Sequence, residues 1–147
     1  MISSINLFID SDLDKVVQIA LAVRGLCTGL VSDDELDAVE LSVVEAINNV
    51  IKHGYGGQPG RDIHVLVGLH KEQVVIEIVD HASPMQAGLL SDASAERFAF
   101  DETNLADIPE SGMGLALIRM NMDEVQYSST GGENRLRMIK RIDPRAS

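Results

Sequence analysis

Val44-Glu45-Ala46-Ile47-Asn48-Asn49-Val50-Ile51-Lys52-His53-Gly54-Tyr55 is the stretch on which the reading of this chain turns. Glu45, Asn49 and His53 are spaced i, i+4, i+8, so on an α-helix they rise along one side, drifting by about 40° per step. Asn48 and Lys52 fall on the same side. Leu36, Val39, Val43, Ile47, Val50 and Ile51 occupy the opposite arc and mark it as the core face. Upstream, Ser32-Asp33-Asp34-Glu35 has the form of a capping box. With Gly54 as the stop, the pattern predicts a helix from that box to His53.

A polar stripe on an amphipathic helix is ordinarily its solvated face, and that reading stays open for this one. Two features set the stripe apart. It holds two adjacent Asn residues, which are poor mid-helix residues, and a single acid in place of a Glu/Lys ladder. An Asn carbonyl oxygen suits Mg²⁺, which takes few protein oxygens and completes its shell with phosphate oxygens and water. Glu45, one turn earlier, is spaced to accept a proton from an attacking hydroxyl or water. His53 reads equally as a C-terminal cap favoured by the helix dipole or as a nucleotide contact.

Working outward, residues 2–9 alternate through Ile5, Leu7 and Ile9 and predict a first strand. Ser11 with Asp14 resembles a capping box, and Leu13, Val16, Val17, Ala20 and Leu21 continue at helical spacing to Cys27. After the Gly56-Gly57-Gln58-Pro59-Gly60 turn, Ile63, Val65, Val67 and Leu69 alternate as a strand, with Val74, Ile76 and Ile78 as its hairpin partner. From Met85 to Ser111 the pattern is weak and acidic, a mobile cover with a short helix near Ala93 to Phe100. Gly112-Met113-Gly114 then opens a helix through Leu115, Ile118 and Met122. Val125 to Thr130, Gly131-Gly132 and Arg135 to Ile142 form a last hairpin. The order predicts an α+β two-layer sandwich, a mixed, mostly antiparallel sheet with helices on one face.

Two further places carry chemistry. A glycine pair at a helix start leaves backbone N–H groups open to phosphate, although a plain turn explains a lone G-x-G equally well. Asp80 ends a strand of buried character, where a carboxylate is costly unless hydrogen-bonded. It serves either as the start of the turn containing Pro84 or as a partner for the exocyclic amine of adenine. No G-x-x-x-x-G-K-[ST] sequence is present, which excludes a P-loop.

The bulk numbers narrow the class. A chain of 147 residues with 45% apolar content suffices for one core, so residues 1–147 read as one domain. A net charge of −11 argues against direct nucleic-acid binding. The lone Cys27, the absence of an export-type start and the lack of a membrane-length apolar run predict a cytoplasmic protein without a membrane anchor.

Taken together, Glu45 to His53 as E-x-x-x-N-x-x-x-H, Asp80 after the second hairpin strand, and E-S-G-M-G-L-A-L-I-R at Glu110 to Arg119 resemble the GHKL (Bergerat-fold) ATPases. The resemblance is closest to the anti-sigma-factor serine kinases of the RsbW type and covers nearly the whole chain. It takes in Val23-Arg24, Asp107 to Glu110 and Gly131 to Leu136. It implies a Bergerat, histidine-kinase-like fold that binds Mg-ATP, with adenine against Asp80, Mg²⁺ on Asn49 and Glu45 as catalytic base. Gly112, Met113 and Gly114 would adjoin the phosphates, with His53 and Ala82 also at the nucleotide.

By the same resemblance the chain phosphorylates a serine of a small anti-anti-sigma (STAS-type) partner and binds a sigma factor or related regulator as a homodimer. One departure is expected to weaken nucleotide binding. Ala82 stands where the family has glycine, adding a methyl group and restricting positive φ. Asn134 lies near the position of the family's adenine-side threonine, and Arg97 is the sole basic residue between Met85 and Ser111. The competing expectation is a non-catalytic, nucleotide-stabilised binding module that sequesters a sigma factor or other regulator. A lone ATP-hydrolysing domain of the histidine-kinase type is disfavoured, since His53, His64, His70 and His81 look like site-edge or strand residues.

Overall fold

The computed structural model describes residues 3–84 and 110–142. Five strands form one sheet: β1 (Ser3–Asp10), β2 (Asp62–Leu69), β3 (Gln73–Asp80), β4 (Glu124–Thr130) and β5 (Glu133–Arg141). Their order is β1-β2-β3-β5-β4, and every pairing between named strands is antiparallel. The expected antiparallel majority is therefore complete, with no parallel pair between named strands among the described residues. Among the described residues three α-helices complete the α+β layers: α1 (Val16–Cys27), α2 (Asp33–Asn49) and α3 (Glu110–Asn121). α1 and α3 both pack against α2.

The alternation read from the sequence fixes which sheet face is covered. Ile63, Val65 and Val67 on β2, Ile76 and Ile78 on β3, and Leu136 and Met138 on β5 are buried. They pack with Val39, Val43 and Ile47 of α2 and with Leu115 and Ile118 of α3 in one apolar cluster. The Gly131-Gly132 turn has φ of 62° and 81°, the left-handed pair that a two-residue hairpin requires.

Local chemistry sets the helix ends. Ser32 forms the expected capping box: its Oγ accepts from the Glu35 N–H, and Glu35 Oε1 accepts from the Ser32 N–H. At the first helix the expected cap moves by one residue. Asp12, not Ser11, accepts from the Asp14 N–H, and a 3₁₀ turn at Leu13–Lys15 precedes α1. Ser11 is withdrawn from capping because its hydroxyl accepts from the Arg61 N–H and donates to the Gln58 carbonyl, tying β1 to the turn before β2.

Two expected boundaries also shift. The long helix stops being α-helical at Asn49, and Val50–Gly54 forms a π turn, closed by the Tyr55 N–H on the Val50 carbonyl. The last helix begins at Glu110, so Gly112 and Gly114 lie inside it rather than before it. The cover expected from Met85 to Ser111, with its short helix, Arg97 and the Asp107 approach, falls almost wholly outside the described residues.

Candidate functional site

The face of α2 that carries Glu45 and Asn49 meets α3 at a glycine. A Cβ placed on Gly114 would stand 3.0 Å from Glu45 Oε2, 3.3 Å from Asn49 Nδ2 and 3.4 Å from Asn49 Oδ1. The bare Cα is what lets α3 come this close to both polar side chains. They are half-buried, not facing open solvent. Asn49 Nδ2 is buried and has no hydrogen-bond partner among the described residues. Left so, a buried amide donor costs about 1–3 kcal/mol, so its natural complement is an exogenous group. Asn49 reaches this position because Ala46, Ile47 and Val43 hold the opposite arc of α2 in the core.

The residues present fit a hard divalent cation. An amide is turned by half a rotation at little cost in shape, and Oδ1 then offers one neutral oxygen beside the Glu45 carboxylate. Mg²⁺ is content with one or two protein oxygens when phosphates and water supply the rest. Among the described residues no three His, Cys, Asp or Glu side chains cluster into a protein-only cage.

The second part of the site lies at the end of β3. Asp80 is only 6% exposed, so its carboxylate needs partners, and it has them. Oδ1 accepts from the Ala82 N–H at 2.9 Å, an Asx turn, and from Asn134 Nδ2 at 2.9 Å. Asn134 Nδ2 also donates to the Ala82 carbonyl at 2.8 Å, and Ser129 Oγ donates to Asn134 Oδ1 at 2.7 Å. Tyr55 secures the same turn from the helix side. Its hydroxyl accepts from the His81 N–H at 3.0 Å and donates to the Asp62 carbonyl at 2.7 Å. Burial pushes the Tyr55 hydroxyl above its usual range, against the smaller opposite effect of the His81 N–H.

Ala82 sits in the turn without strain. No non-glycine residue among those described has positive φ, so the alanine is unstrained. Its methyl group lies against the end of the π turn, where a Cβ on Gly54 would be only 2.8 Å from Ala82 Cβ. The glycine that a sequence reading takes as a helix stop is thus also the space into which the alanine fits.

The remaining residues divide plainly. Gly112 and Met113 are helical, and Gly112, as the third residue of α3, has one of the backbone N–H groups without an intrahelical acceptor. His53 is exposed in the π turn, where the line from Glu45 through Asn49 no longer follows α-helical spacing. The pairing of Asn134 with Asp80 and the part played by Ser129 were not legible in the sequence. The only available signal was that both flank the Gly131-Gly132 turn.

A family model described as the histidine kinase-like ATPase domain matches residues 9–140, a span that contains every site residue just described. The chain belongs to the histidine kinase-like ATPase domain family. Within that family it is similar to an anti-sigma F factor of Anoxybacillus flavithermus, 30% identical over 110 residues, covering 74% of this chain and 71% of that protein. It is also similar to the serine-protein kinase RsbW of Bacillus cereus, 26% identical over 131 residues, covering 87% and 79%. An anti-sigma F factor of Clostridium beijerinckii is 28% identical over 108 residues, covering 74% and 71%.

Proposed function

We propose that this chain is an ATP-dependent protein-serine kinase that acts as an anti-sigma, partner-switching regulator and phosphorylates a serine of a small anti-anti-sigma protein of the STAS type. The observation that carries this reading is the meeting of Glu45 and Asn49 with the bare Cα of Gly114. The names of the relatives, anti-sigma F factor and serine-protein kinase RsbW, support it.

In this reading Asp80 takes the exocyclic amine of adenine, while the Ala82 turn and the outer end of the π turn with His53 border the nucleotide. Asn49 Oδ1 holds Mg²⁺, which when bound neutralises charge on the phosphates. The backbone of Gly112 and Met113 faces the phosphates. Glu45 Oε2 receives the proton of the attacking serine hydroxyl as its oxygen bonds to the γ-phosphorus and the bond to the ADP oxygen breaks. Positioning and charge neutralisation supply most of the acceleration such a transfer needs, so few residues suffice. The protein works as a homodimer in the cytoplasm and holds its sigma factor or other regulator by protein–protein contact, its −11 charge disfavouring nucleic acid.

The competing reading, a non-catalytic binding module, rests on Ala82 and on the lid's lack of cations; of these, the Ala82 methyl group has its own place against Gly54. The deciding experiment mixes the chain with γ-labelled ATP and purified anti-anti-sigma protein. Labelled phosphoserine is expected, and Glu45→Gln should slow transfer by about 10²–10⁴-fold with ATP binding kept. ATP binding without transfer to a partner that forms a complex with the chain would refute the kinase and leave the module.

A further inference from the structure

Ser129 on β4, Asn134 on β5 and Asp80 on β3 stand directly opposite one another in adjacent strands. They form one row at the end of the sheet, on the face that elsewhere is apolar. The row is a directed relay of hydrogen bonds. Because the Ser129 hydroxyl donates to Asn134 Oδ1, the NH₂ group must point the other way. Both of its hydrogens are used there, one on Asp80 Oδ1 and one on the Ala82 carbonyl. The reverse orientation would set the amide oxygen against a carboxylate and a carbonyl, three acceptors with no proton between them. The amide therefore has one orientation, held by protein groups at a residue only 2% exposed.

This orientation decides what Asp80 presents. A carboxylate turns broadly about its terminal torsion when nothing holds it. Here Oδ1 receives two N–H donors, from Asn134 and Ala82, while among the described residues no hydrogen bond reaches Oδ2. One oxygen is fully engaged and the other remains as the acceptor the site offers.

We propose that Asn134 is the positioning residue of base recognition. It clamps Asp80 so that a single, orientation-fixed carboxylate oxygen meets the purine, and thereby sets the preference for a 6-amino over a 6-oxo base. The proposal rests on the reading of Asp80 as the base receptor. A clamped acceptor bonds a 6-amino hydrogen without first losing rotational freedom, and meets a 6-oxo group oxygen to oxygen. Released, the carboxylate must be ordered at each binding event, and the discrimination shrinks. Ser129 acts one step further back, by preventing the amide from turning.

The test is calorimetric titration of the full chain with Mg-ATP and Mg-ITP, the latter carrying a 6-oxo base, on wild type, Asn134→Ala and Ser129→Ala. Wild type should prefer ATP. Asn134→Ala should weaken ATP by about tenfold to thirtyfold, the worth of a hydrogen bond to a charged group, while ITP changes by less than about twofold on the same scale. Ser129→Ala should shift the ratio the same way by about threefold, as for a single neutral hydrogen bond. Equal weakening of both nucleotides would show that Asn134 only supports the fold, and an unchanged ATP affinity would exclude any role; either overturns the clamp alone. If Asn134→Ala does not fold, the ratio measured on Ser129→Ala decides. Wild type that binds neither nucleotide would overturn the base-receptor reading and the clamp together.

Discussion

The two ends of the site are built on opposite principles. At the end of β3, among the described residues, Asp80 Oδ1 is engaged twice, and both hydrogens of Asn134, the Ser129 hydroxyl and both functions of the Tyr55 hydroxyl are engaged as well, with Asp80 Oδ2 left open. At the α2 end Asn49 Nδ2 is buried with no partner among the described residues, beside a glutamate and against a glycine. The first is a network complete but for one carboxylate oxygen; the second holds an orphaned donor. Fully satisfied buried networks rigidify a structure, whereas an orphaned group costs stability until its partner arrives.

The contrast is broken or sharpened by substitution, beginning with the largest effect. Gly114→Ala drives a methyl group to 3.0 Å from Glu45 Oε2 and 3.3 Å from Asn49 Nδ2. Both are ends of side chains that can swing aside, so the fold should hold, but a displacement of this kind should lower phosphoryl transfer by about a hundredfold. A variant with full transfer would show that the close approach of α3 is incidental.

Next come two truncations with opposite signs in thermal or urea unfolding without ligand. Asp80→Ala strands the Ala82 N–H and half of the Asn134 amide, and should destabilise by about 2 kcal/mol. Asn49→Ala removes an orphaned donor and installs the best helix former, and should stabilise by about 1 kcal/mol while abolishing Mg-dependent ATP binding. Loss of stability in both would erase the difference between the two ends.

Of similar size is the contact that joins the π turn to the Asp80 turn. Gly54→Ala should cost about 1–3 kcal/mol through overpacking on Ala82, and Ala82→Gly should relieve most of it in the double variant. A double-mutant cycle reads the coupling, about 0.5–3 kcal/mol for residues in contact. Additive effects would mean that the 2.8 Å approach is not what constrains Gly54.

The smallest effect is a control in the core, belonging to neither end. Burial pushes the Cys27 thiol up to about 11. The unfolded chain therefore loses that proton first, and stability should fall as pH rises from about 9, the ordinary thiol range, through the folded value. A thiol reagent at pH 8 should find no reactive group in the folded protein and one after unfolding, with Mg-ATP making no difference.

Much of this molecule was legible in its residues because it rests on periodicity and short-range chemistry. The alternation in β2 and β3, the core arc of α2, the Ser32 capping box and the Gly131-Gly132 hairpin each depend on neighbours within a few positions. Glu45 and Asn49 could be assigned one face, since a helix fixes which residues share a side. The illegible parts all require a distant partner. Ser11 leaves its capping role for Gln58 and Arg61, about fifty positions away. The π turn is fastened through Tyr55 to Asp62 at the start of β2 and to His81 just past the end of β3.

The sequence by itself determined the elements, the covered face of the sheet and the two residue types able to hold metal and move a proton. Only the tertiary structure decided that Gly114 closes on that pair, that Ala82 fits into Gly54, and that Asn134 rather than solvent aims Asp80. The physical reason is range. Propensity and periodicity act along the chain within a turn or two, while orientation of a buried polar group is set by whichever donor the fold brings to it, and strand register brought Asn134 across 54 positions to Asp80.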